Sequence, residues 1–294
     1  ENLRINFNSM KKIIVTILVL VPIFMFSQKE IKLYPQGASE GILSPQAEVA
    51  NGVEWITFVS ETRMYMYPSI SQNKSGTSVL ICPGGGYGGL AAEKEGAEIA
   101  RWFNSIGVTA FVLYYRMPFG NHQIPLKDTK TAMRIIRRHA KEWKLNKNRI
   151  GIIGFSAGGH LAATLGTHYD KENKPLFMAL IYPVISFRPV FFPGGTCKNL
   201  LGENPAEDLI KFYSNELHVT KQTPPTFLVH ALNDDVVEPF HSQAFADLLK
   251  VKKVKHKLVL YNQGGHGFGM RPQKVDADNW PLEFKEWLKK YKFI

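Results

Sequence analysis

Three side chains in this sequence have the types and surroundings to act together as a nucleophile, a base and an orienting acid. Ser156 stands in Gly154-Phe155-Ser156-Ala157-Gly158, between an apolar run at residues 150–153 and a small-residue stretch with helical spacing. A serine on such a strand-to-helix turn sits in a strained backbone, and the flanking glycines let strand and helix approach without Cβ clashes. A serine hydroxyl is a poor nucleophile until a base takes its proton. His266, in Gly264-Gly265-His266-Gly267-Phe268-Gly269, is carried by a tight loop just after the last strand-like segment, where it can be that base. The imidazolium then needs a carboxylate, and two compete in Asn233-Asp234-Asp235-Val236-Val237: Asp234 and Asp235.

Attack on an acyl carbon also needs donors for the oxyanion, each worth about 3–4 kcal/mol. Pro83-Gly84-Gly85-Gly86-Tyr87 follows an early apolar run, and its glycines leave the backbone N–H groups uncovered. Gly85 and Gly86 are the expected donors, with Ala157, the residue after the nucleophile, as a third. A phosphate-binding loop is the competing reading. The segment lacks both the later glycine of a dinucleotide fingerprint and the Lys-Ser/Thr of a P-loop. Among the other histidines, His160 is expected to pack beneath the serine turn, and His230 to be a satisfied core residue. His122, His139, His168, His218, His241 and His256 read as surface or loop residues.

The elements that must hold these groups alternate. Apolar strand patterns at residues 79–81, 108–114, 149–155, 177–182, 227–231 and 256–261 are interleaved with helical patterns. The helical patterns fall at 95–105, 126–143, 157–167, 242–250 and 281–290. This predicts an α/β fold with a mostly parallel sheet buried on both faces. Segments near residues 54–59 and 63–67 are expected as antiparallel strands leading into the sheet. Residues 186–222 break the rhythm with Pro, Gly and Asn, and are expected as a short insertion over the active site.

The chain has 294 residues, a formal charge of +11 and 45% hydrophobic residues, a composition ordinary for globular proteins. Its lysines lie mainly on helices and tails, and no basic run is interleaved with aromatics as a nucleic-acid groove requires. Met10-Lys11-Lys12, an apolar run at 13–26 and Ser27-Gln28 have the anatomy of a signal peptide. Residues 1–27 are therefore expected to be upstream sequence and signal peptide, and 28–294 a single domain, secreted or periplasmic, without stable membrane insertion. Cys82 reads as a buried apolar residue, and pairing with Cys197 is open. No ligand cluster with metal spacing is present and no cofactor is expected.

The stretches Ile81-Cys-Pro-Gly-Gly-Gly-Tyr87 and Gly154-Phe-Ser-Ala-Gly-Gly-His160, with Tyr182-Pro-Val184, Asn199-Leu-Leu-Gly202 and the glycine loop at His266, resemble the secreted bacterial acetylxylan esterase-like enzymes of the α/β-hydrolase fold. Members of that group often carry xylanase names. The resemblance runs from about Ile31 to the C-terminus. It implies a Ser156–His266–Asp234 triad, since the acid loop of such folds favours the first aspartate. It also implies an oxyanion hole in the glycine loop and an acylated carbohydrate as substrate. Many members have a histidine ahead of Gly-Gly-Ser where this chain reads Phe191-Phe192-Pro193-Gly194-Gly195-Thr196-Cys197. A peptidase or lipase of the same fold, or an inactive glycan-binding protein, are the alternatives. The chain has no room for the propeller of prolyl-type peptidases and no long apolar lid.

Overall fold

A computed structural model describes residues 28–37, 48–52, 54–59, 61–69, 75–191 and 194–294. The expected signal peptide, and Phe192 and Pro193 of the insertion, lie outside them. Ten strands are described: β1 (Lys29–Lys32), β2 (Val49–Asn51), β3 (Trp55–Thr57), β4 (Arg63–Tyr67), β5 (Ser78–Cys82), β6 (Thr109–Tyr114), β7 (Ile150–Phe155), β8 (Met178–Ile181), β9 (Thr226–Ala231) and β10 (His256–Tyr261). Eight of them form one sheet in the order β1-β4-β6-β5-β7-β8-β9-β10. β1 and β4 run antiparallel at one edge, and the strands from β6 to β10 are parallel.

Helices α1 (Glu98–Ser105), α2 (Gln123–His139), α3 (Ser156–Thr167), α4 (Gly194–Leu201), α5 (Glu207–Phe212), α6 (Phe240–Val251) and α7 (Trp280–Lys290) complete the chain. The period-2 alternation of the strands splits the core in two. Leu80, Phe111, Ile152, Leu180 and Leu228 pack on one face with Ala132 and Met133 of α2, Leu161 of α3 and Phe245 of α6. Val79, Ile81, Ile153, Ala179 and Val229 pack on the other with Phe103 of α1 and Trp280, Phe284 and Trp287 of α7. Each of these large buried side chains contributes about 2–3 kcal/mol. Strands buried on both faces explain why β5, β7, β8 and β9 are apolar almost throughout.

One expectation is corrected here. The segment near residues 54–59 does not join the main sheet. Its strand β3 pairs with β2 in a separate two-stranded sheet and reaches the rest of the fold through an Ile56–Leu90 bridge. The apolar spacing that suggested a sheet strand is met by that small ribbon. The main sheet gains instead the edge strand β1, whose Lys-Glu-Ile-Lys sequence is too short and charged to announce itself. Cys82 is buried at the end of β5 and Cys197 is half-buried in α4, and both are free thiols.

The turn between β7 and α3 is made possible by close backbone contacts. Ser156 has φ 50°, in the left-handed region that non-glycine residues rarely adopt. A Cβ on Gly154 would overlap the carbonyl of Gly158, and a Cβ on Gly158 would overlap the carbonyls of Cys82 and Pro83. Strand β7, helix α3 and the end of β5 therefore meet backbone to backbone. These neighbours are main chain and cannot rotate away, so Gly158→Ala is expected to cost about 1–3 kcal/mol or more. That corresponds to a melting temperature lower by roughly 3–10 °C, measured by thermal unfolding of the purified variant.

Candidate active site

Three loops at the C-terminal ends of the parallel strands converge on Ser156. The serine follows β7 and is 8% exposed. Its Oγ lies 2.9 Å from His266 Nε2. His266 follows β10, and its Nδ1 lies 2.7 Å from Asp234 Oδ2. A carboxylate only accepts, so Nδ1 carries the proton and Nε2 is the acceptor facing the serine hydroxyl. Asp234 follows β9 and its side chain is fully buried. Its Oδ1 accepts from the N–H groups of Val236 and Val237, at 3.0 and 2.9 Å. Burial alone would raise the Asp234 pKa, but hydrogen bonds from His230 and His266 and from the Val237 N–H outweigh it and hold the carboxyl well below the usual range. Asp235, the other candidate, is exposed to solvent.

The glycine loop lies alongside. Gly85 has φ 138° and Gly86 φ 62°. Among the described residues, neither of their N–H groups has a hydrogen-bond partner in the protein. The Ala157 N–H lies in the first turn of α3, where no intrahelical acceptor exists. The loop is held from several sides. Tyr115 donates to the Pro83 carbonyl at 2.8 Å, Glu95 Oε2 accepts the Gly84 N–H at 2.7 Å, and Asn199 Nδ2 donates to the Gly86 carbonyl at 2.8 Å. Asn199 belongs to the insertion, which therefore steadies this loop as well as covering it.

A cavity of about 410 Å³ opens over Ser156 and His266. Gly85 and Gly86 line it, with Val184, Val236 and Val237 as apolar wall and Gly194, Gly195 and Thr196 contributed by the insertion. Trp55, Lys94, Glu95 and His241 also line it. Among the described residues, no group of three or more His, Cys, Asp or Glu could hold a metal ion, and no helix is long and apolar enough to cross a membrane.

This architecture has counterparts among known proteins. The BD-FAE family model matches residues 64–180. An acetylxylan esterase of Xylanibacter ruminicola is 33% identical over 263 residues, which is 88% of this chain and 54% of that protein. The solved structure of an acetyl ester-xyloside bifunctional hydrolase from Caldicellulosiruptor lactoaceticus is 34% identical, with a TM-score of 0.78, covering 90% of this chain and 97% of that one. The chain belongs to the acetylxylan esterase-like family of the α/β-hydrolase fold. That places it among carboxylic ester hydrolases. A protein named endo-1,4-β-xylanase B, from Butyrivibrio fibrisolvens, is also 33% identical, over 204 residues covering 64% of this chain and 32% of that protein. The chain thus spans about half, or a third, of the length of the curated relatives it matches.

In this α/β-hydrolase the sequence-derived residues Ser156, Asp234, His266, Gly85, Gly86 and Ala157 come together at one site. His160 lies beneath the serine turn, its Nδ1 2.9 Å from the Tyr87 hydroxyl and its Nε2 2.8 Å from the Tyr213 carbonyl. His230 is buried against Ser242 and Val237. His241 departs from expectation. It is buried, its Nδ1 accepting from the N–H groups of Ile185 and Ser186 and its Nε2 donating to the Phe191 carbonyl. Its sequence neighbours are polar or solvent-facing, and the insertion that covers it is distant in sequence. Glu95 and Trp55 were likewise not foreseen. A glutamate at the start of an amphipathic helix reads as a surface residue, and Trp55 reaches the cavity from the small ribbon.

Burial holds His160 and His241 neutral, lowering their pKa values from 6.5 to about 3 and about 4. Unfolding exposes these rings to protonation below about pH 6.5. Their stabilising contribution is therefore complete above that pH and is lost as pH falls toward their folded values. The enzyme is expected to lose melting temperature steadily from pH 6.5 to 4. His160→Gln, although less stable at pH 7, should show a flatter acid slope in the same thermal scan.

Proposed function

We propose that this chain is a serine esterase that removes acetyl or other small acyl groups from polysaccharides or oligosaccharides. The observation that carries the reading is the unbroken relay from Ser156 Oγ through His266 to Asp234, at 2.9 and 2.7 Å, beside a loop in which the Gly85 and Gly86 N–H groups have no partner among the described residues. In the proposed cycle His266 Nε2 takes the Ser156 proton as Oγ attacks the acyl carbon. Asp234 holds the imidazole in the right tautomer and stabilises the imidazolium. The N–H groups of Gly85, Gly86 and Ala157 receive the oxyanion. His266 then gives its proton to the sugar oxygen as the C–O bond breaks. Water, deprotonated by His266, hydrolyses the acyl-Ser156 ester and restores the enzyme.

The substrate class is supported by the relatives, one named for acetylxylan and another for acetyl esters and xylosides. The valine wall beside the serine suits a small apolar acyl group. The Met10–Gln28 pattern supports export, with residues 28–294 working as a single domain.

Ser156→Ala is expected to lower hydrolysis of p-nitrophenyl acetate and acetate release from acetylated xylan by at least about 10³-fold. Acetate release at the parental rate would overturn the mechanism. Asp234→Asn should lower kcat by roughly 10²–10⁴-fold, whereas Asp235→Asn should leave it within about twofold. Steady-state kinetics on the three variants separate these outcomes.

A further inference from the structure

Glu95 is 3% exposed, and it connects two of the three loops that build the site. It comes from a turn of π-helix, Glu93–Ala97, that leads into α1. Its Oε2 accepts the Gly84 N–H at 2.7 Å, at the root of the oxyanion loop. Its Oε1 lies 2.9 Å from the hydroxyl of Tyr182, which follows β8. The same hydroxyl oxygen accepts the N–H of Gly269 at 3.0 Å, at the end of the histidine loop. Gly269 is fixed from its other side as well, where Trp280 Nε1 donates to its carbonyl at 2.7 Å. The Tyr182 ring packs edge-on against the His266 ring, with centroids 5.0 Å apart.

Proton accounting gives the direction of each hydrogen bond in this network. Tyr182 has one proton, and its oxygen already receives the Gly269 N–H. It therefore donates to Glu95 Oε1. The Gly84 N–H donates to Oε2. Both oxygens accept, an arrangement that an ionised carboxylate meets without a further acceptor for a carboxyl proton. Burial raises the pKa of Glu95, while the bonds from Tyr182 and Gly84 oppose that rise. Burying an ionised carboxylate beside the site is costly unless its bonds are complete. A packing role alone would be met by an apolar residue at lower cost.

We propose that Glu95, acting through Tyr182, is a positioning residue that locks the oxyanion loop and the histidine loop at one separation, so that the Gly85 and Gly86 donors and His266 Nε2 address the same point above Ser156 Oγ. The inference rests on the esterase reading, in which those two loops serve one reacting acyl group. A glutamine at 95 can accept one of the two bonds but not both, since its amide nitrogen only donates. Tyr182→Phe removes the link to Gly269 and leaves Glu95 bound to Gly84.

The test measures kcat and KM for p-nitrophenyl acetate on the full chain, with Glu95→Gln, Tyr182→Phe and the double variant. Loss of one oxyanion donor costs about 10²–10³-fold, so displacement of the loop is expected to lower kcat by roughly 10–100-fold, with KM within about twofold. Because both substitutions cut one linkage, the double variant should be no slower than the worse single one by more than about threefold. A folded Glu95→Gln with the parental kcat overturns the proposal, and so does a double variant whose loss equals the product of the two. If Glu95→Gln does not fold, Tyr182→Phe decides alone, by the same fall in kcat or its absence. Covalent labelling of Ser156 by a fluorophosphonate, followed by mass spectrometry, supplies a readout that needs no ester turnover. If the wild type labels at Ser156 but does not hydrolyse esters, the esterase reading fails, and slower labelling of the variants still supports the positioning role. Equal labelling rates in wild type and variants overturn it, as does a wild type that does not label.

Discussion

The whole site hangs on a main-chain contact. Helix α3 starts close enough to the ends of β5 and β7 that the carbonyls of Cys82, Pro83 and Gly158 occupy space a Cβ would need at Gly158 and Gly154. This contact forces Ser156 into the left-handed region and lifts its Oγ toward the cavity. It also sets the glycine loop directly against the first turn of α3, with Gly84 packed on Phe155 and Ser156. The local strain is sustained by the buried sheet on either side, whose apolar strands give the turn no room to relax.

Polarity is handled differently at each loop. Asp234 is buried but receives N–H donors on Oδ1 and histidine on Oδ2, so its charge persists. Glu95 is buried among neutral donors from a backbone amide and a phenol. His160 and His241 are kept neutral by the same burial. Each ring nitrogen has a partner of definite direction, so the tautomers follow from the surroundings. The site combines a persistent charge at Asp234 with an uncharged imidazole, His241, in its wall.

The parallel core was legible in the sequence because buried strands are apolar on both faces and end at Gly, Pro or a chemically distinctive loop. The serine turn and the histidine loop were legible for a related reason: close approach and exposure both call for glycine, and glycine leaves a mark in the letters. What was missed shares a physical cause. Strand β1 is polar because it is an edge. Trp55 belongs to a ribbon whose place beside the glycine loop is set by tertiary contacts. Glu95 and His241 are polar residues buried by segments far away in the chain. No local pattern separates a buried carboxylate from a solvated one, since the difference lies in partners contributed by β5 and β8.

The two thiols have a consequence of their own. Cys82 is sealed at the end of β5, and burial pushes its pKa up, so it stays protonated and unreactive. The Cys197 thiol, in the insertion, is raised as well, again by burial. Neither is bonded to the other, and the sheet is held by side-chain packing and hydrogen bonds alone. With both cysteines free, the described fold holds no disulfide for a reducing environment to break.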